Sequence, residues 1–100
     1  MVTSNISSIQ SLEDLQKFVY NTICHDHELR PDAFPTSENV IRKANGSYCG
    51  IMFCLHGPRK VNFSAIWEKE HNRIFFYGPT GIRYLQVILH DCAPEIFEVG

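Results

Sequence analysis

The chain has little that would carry it to a membrane or out of a cell. Its longest apolar run, Ile51 to Leu55, is far short of the roughly 20 residues that a spanning helix needs. Met1 to Gln10 has neither the basic stretch nor the apolar core that opens a secretory signal. The expected location is therefore intracellular, in cytoplasm or nucleus. The N-x-S strings at Asn5, Asn45 and Asn62 then read as chance matches rather than glycosylation sites. Four cysteines without an export route read as reduced thiols, not as a disulfide framework.

Excess positive charge is missing too. Lys and Arg number 9 against 11 Asp and Glu, a net charge of −2. Nonspecific nucleic-acid affinity comes mainly from cations that neutralise phosphates, so that class begins at a disadvantage. There is no GxxxxGK[ST] or GxGxxG string to cradle a phosphate. Gly78-Pro79-Thr80-Gly81 is a turn, because Pro79 lacks the amide that an anion nest would use. Internal repeats and low-complexity segments are also absent.

What is present suits one ordinary domain spanning residues 1–100. A chain of 100 residues with 44% apolar and 12% aromatic residues can bury a core without metal or disulfide. Seven phenylalanines and one tryptophan supply much of that area. The first ten residues read as weakly ordered, and residues 90–100 as a tail packed loosely through Ile96, Phe97 and Val99.

Ser11-Leu12-Glu13-Asp14 resembles a capping box, a hydroxyl for orphan amides followed by acidic residues in the first turn. Leu12, Leu15, Phe18, Val19 and Ile23 follow at steps of three and four, the stripe of an amphipathic helix. The pattern predicts a helix to about His25 or His27, stopped ahead of Arg30-Pro31 by the restriction proline places on its predecessor. A connector with Pro31 and Pro35 brackets Phe34, which would plug the sheet edge or the helix. Glu38 to Lys43 admits a helical turn capped by Ser37, or a strand entering a two-residue type I′ hairpin at Asn45-Gly46. That Asn-Gly pair favours the strand.

Tyr48 to Leu55 is nearly continuous in apolar residues, as expected of an interior strand. Val61, Phe63, Ala65 and Trp67 alternate with Asn62, Ser64 and Glu68, the period of a half-buried strand. Arg73 to Tyr77 is a short aromatic strand, and Ile82 to Leu89 is β-branched and aromatic and reads as another. Links of two to five residues make consecutive strands antiparallel neighbours. The expected fold is α+β: an N-terminal amphipathic helix packed on a four- to five-stranded antiparallel meander sheet.

Several groupings could carry chemistry. Cys24, His25 and His27 end the helix, and His90 and Cys92 follow the last strand, so two pairs of zinc-type ligands exist in principle. Their spacing is not that of a finger or ribbon. Cys49 and Cys54, five apart on a strand, point to opposite faces. A thiol nucleophile would need an adjacent imidazole, and Cys54 with His56, or Cys92 with His90 and Asp91, are the candidates. Small buried thiols and solvated histidines at element ends account for all of these more simply. No catalytic residue, metal ligand or cofactor is assigned. A small thiol- or zinc-dependent protein stays as an alternative.

The strongest functional signal is a group of arginines and aromatics in the sheet half: Arg59, Arg73, Phe75, Tyr77, Arg83 and Tyr84. One helix covers one face of a sheet, so some of these aromatics must face outward or pack under the tail or a second copy. Aromatics and arginine are the residues that interface centres enrich. The expectation is a non-enzymatic interaction module, a small adaptor or complex subunit. It would dock a protein or its own copy, as homodimer or heteromer, through this face or a sheet edge. Single-stranded RNA binding on the same face is the alternative.

Overall fold

A computed structural model describes residues 2–6, as backbone, and 9–90. Strand β1 (Val2–Ile6) precedes helix α1 (Leu12–Asp26), and five strands follow: β2 (Thr36–Arg42), β3 (Tyr48–His56), β4 (Asn62–Glu68), β5 (Arg73–Tyr77) and β6 (Arg83–Leu89). The five form an antiparallel meander, and α1 lies over one face of it. The expected α+β architecture stands. Both ambiguous segments, 38–43 and 82–89, are strand as far as Arg42 and from Arg83 onward, leaving Lys43 and Ile82 in the turns. The expected tail falls outside the described residues from position 91 onward.

The addition is β1. It joins the far edge in parallel with β6, so the sheet has six strands in the order β1-β6-β5-β4-β3-β2. Sequence reading assigned no element to those residues.

Helix α1 starts where its cap was read. Ser11 is extended, and its Oγ accepts from the Asp14 amide at 3.1 Å. Asp14 answers by accepting from the Gln10 amide at 3.2 Å. The stop is different from the expected one. Glu28 takes a left-handed φ of 55°, while Leu29 N–H reaches back to Cys24 O at 2.8 Å and Glu28 N–H to His25 O at 3.4 Å. This is a Schellman closure, complete before Pro31 can exert any effect.

The β2–β3 connection is also not the two-residue type I′ turn. Gly46 N–H bonds Lys43 O at 2.9 Å, Lys43 N–H bonds Ser47 O at 2.8 Å, and only Gly46 has positive φ, 87°. Ala44 and Asn45 thus form a type I turn, with Gly46 as the left-handed residue that restores the strand twist. Gly78 to Gly81 repeats the device between β5 and β6, with Gly81 at φ 82°.

The core lies between α1 and the sheet. Leu15, Val19 and Ile23 meet Phe53, Trp67, Ile74, Phe76 and Val87, all essentially without solvent contact. Trp67 is fixed at its polar end by donating Nε1–H to Asn72 Oδ1 at 2.9 Å. Alternation then dictates the opposite face. Met52, Cys54, Ser64, Ile66, Arg73, Phe75, Tyr77 and Ile88 point away from the helix, most of them half-buried.

Candidate functional site

Four of the six expected partner-binding residues come together on that open face. Phe75 is the centre, in the middle of β5. The Arg83 guanidinium lies 3.8 Å from its ring centroid and the Arg73 guanidinium 4.7 Å away. Arg83 also donates Nε and Nη2 to the Tyr77 hydroxyl, at 3.2 and 2.7 Å. Arg73 donates Nε to Glu68 Oε2 at 3.0 Å. Phe75 is only 7% exposed, and among the described residues guanidinium groups rather than the helix lie over its ring.

The two arginines are electrostatically unlike. Arg73 is matched by Glu68, a carboxylate shared with His71. Burial works against the ionised Glu68, but hydrogen bonds from His71 and Arg73 outweigh it and hold its carboxyl below the ordinary value. Arg83 bonds a neutral phenol, so its charge is presented to whatever docks there. Its planar fork retains donors suited to a carboxylate.

The other two residues belong elsewhere, which corrects the sequence grouping. Tyr84 occupies a bulge, since Tyr77 pairs with Arg83 and Phe76 with Leu85. Its side chain reaches the helix side, where the hydroxyl donates to Asp26 Oδ2 at 3.0 Å and the ring meets His27 edge-on at 5.4 Å. Burial first, then the Asp26 carboxylate, push its ionisation well above the usual phenol range. Arg59 sits in the short 3-10 turn Pro58–Lys60, off the strands, at a left-handed φ of 58°.

Sequence reading missed a polar relay near the β2 edge. His56 Nε2 lies 3.1 Å from Ser37 Oγ, and its Nδ1 lies 3.1 Å from Asn62 Oδ1. With the proton on Nδ1, the ring donates to Asn62 and accepts from Ser37. That is the order of an acyl-transfer relay. Its contacts are exposed, however, and none of these three residues lines the cavities described for this structure. Its evident work is to tie three strands together. Alternation places Ser37, His56 and Asn62 on the same face, but only the strand order brings the three together.

The thiol and zinc groupings offered as alternatives fall only partly among the described residues, which exclude Asp91 and Cys92. Cys24 is buried in the core, where burial and then Asp32 raise its thiol pKa, the opposite of activation. His25 is exposed, while the His27 ring lies 4.4 Å from that of Phe63. Among the described residues, Glu68, Glu70 and His71 are near enough to share an ion, but Glu68 is already held by Arg73.

A cavity of about 710 Å³ opens at one end of the sheet, lined by Ile41, Tyr48, Cys49, Ile66, Trp67 and Lys69 among others. A bulge creates it. Ile41 pairs with Gly50 and Arg42 with Tyr48, leaving Cys49 over, so the hairpin end curls. Among the described residues no helix is long and apolar enough to cross a membrane. Comparison with protein-family models, curated proteins and solved structures finds no match to this chain.

Proposed function

We propose that this domain is a non-enzymatic interaction module, an adaptor or complex subunit that docks a protein partner on the open face of its sheet. One observation carries the reading: Phe75 is roofed by the Arg73 and Arg83 guanidinium groups, with Tyr77 beside them. Arginine and aromatics are the side chains that dominate interface centres. Met52, Ile66 and Ile88 extend an apolar surround from the neighbouring strands. The partner surface that fits is apolar with an acidic group for Arg83.

Single-stranded RNA could use the same aromatics by stacking. Against it, the Arg73 charge is met by Glu68, and the chain carries net charge −2. A salt titration with a labelled oligouridylate separates the two readings. The expected result is no binding at physiological ionic strength. Affinity that falls steeply with salt and is lost in R83A would replace the protein reading with the RNA reading.

A further inference from the structure

We infer that the free edge of β2 pairs with β2 of a second copy across a two-fold axis centred on Val40, making a homodimer with a continuous twelve-stranded sheet. The occupant and the register both follow from groups on that strand.

Among the described residues β2 ends the sheet, with β3 on one side only. His56 N–H bonds Pro35 O at 2.9 Å and Lys43 N–H bonds Ser47 O at 2.8 Å, which fixes the alternation at both ends of the strand. Ser37, Asn39 and Ile41 turn their main-chain groups toward β3. Thr36, Glu38, Val40 and Arg42 turn theirs outward, a row of donors and acceptors with no strand partner among the described residues. The strand itself carries no proline or lysine to blunt it, and Val40 is 39% exposed.

Two-fold pairing must place outward residues opposite outward residues. Centring on Glu38 sets two carboxylates against each other. Centring on Asn39 places Glu38 opposite Val40. Centring on Val40 places Glu38 opposite Arg42 twice and Val40 against Val40, so charge selects this register. Glu38 is held in place by α1: the Gln16 amide and the Tyr20 hydroxyl donate to its two oxygens at 2.9 and 2.6 Å. The Arg42 guanidinium donates to Gly46 O at 3.3 Å, an exposed contact that leaves its other donors for a carboxylate.

The test is sedimentation velocity over a concentration series. The wild-type chain is expected to show a monomer–dimer equilibrium. E38R alone and R42E alone each face like charges and weaken it by about tenfold or more, while their equimolar mixture re-forms a dimer by matching opposite charges. V40P removes an outward amide that the monomer does not use and abolishes the dimer without changing the circular dichroism spectrum. Glu38 also anchors Tyr20 and Gln16, so if E38R fails to fold, R42E and V40P decide the matter. A wild-type monomer at high micromolar concentration overturns the inference. So does a dimer indifferent to V40P, or a mixture that stays monomeric. R83E lies on the other surface and leaves the dimer intact, so this inference and the docking reading fail separately.

Discussion

His27 packs against Phe63 and meets Tyr84 edge-on, with its Nε2 buried and without a hydrogen-bond partner. Charging that ring would strand a proton in an apolar setting. Burial therefore lowers its pKa below the usual 6.5, only partly offset by Asp26. A base whose folded pKa is lowered leaves the unfolded chain holding more protons. Stability is then complete above about pH 6.5 and is lost as pH falls below it, by at most about 1.4 kcal/mol per pH unit for one proton. Denaturant midpoints at pH 7.5, 6.5 and 5.5 should decline in the wild type and flatten in H27F. An unchanged slope in H27F would remove His27 as the cause. Glu68 titrates lower and with opposite chemistry. Its stabilisation is present above the ordinary carboxylate value and disappears as pH drops through the folded one. At Gly50 the constraint is space. A Cβ there would run into Trp67 O on the neighbouring strand, so G50A must part β3 from β4. The expected cost is about 3 kcal/mol or more in chemical denaturation.

Among the elements, α1 is held by its two ends as well as by its stripe. S11A removes the acceptor for the Asp14 amide and should cost about 1 kcal/mol, read from the thermal or denaturant midpoint. Glu28 pays a left-handed conformation that glycine adopts freely, so E28G should gain up to about 1 kcal/mol despite glycine's looser unfolded chain. A loss of stability in E28G would mean that the Glu28 side chain contributes more than its backbone strain costs.

Much of this level was legible in the sequence. The Ser11 cap, the Leu15–Val19–Ile23 stripe and the alternation of Phe63, Ala65 and Trp67 are local patterns with a single geometric meaning. What was not legible depended on residues far apart. Val2–Ile6 becomes a strand only because β6 offers it an edge, and that pairing is parallel and spans nearly the whole described chain. The Asn45-Gly46 pair marked a turn correctly, but Ala44 is recruited into it and the type changes. The bulge that sends Tyr84 to the helix side likewise has no signature in Ile82 to Leu89, so Tyr84 was grouped with residues from which the structure separates it.

At the scale of the whole molecule, the one helix and six strands of the described residues leave two kinds of surface that no described element covers. One is the face opposite α1, where arginines lie over Phe75. The other is the β2 edge. The alternation along Arg73 to Tyr77 made the first foreseeable, whereas the relay of Ser37, His56 and Asn62 needed strand order to appear. The central claim is that the open face docks a protein, and Arg83 is the residue that separates this from a merely self-covered sheet. The most direct measurement is parallel affinity capture from source cells with wild type, R83E and K17E, each with and without nuclease. Lys17 serves as the control because it lies on α1 and pairs with Glu13 at an exposed site. The account predicts a stoichiometric protein held by wild type and K17E, resistant to nuclease, and lost from R83E. A partner retained equally by R83E, or released by nuclease, would contradict it.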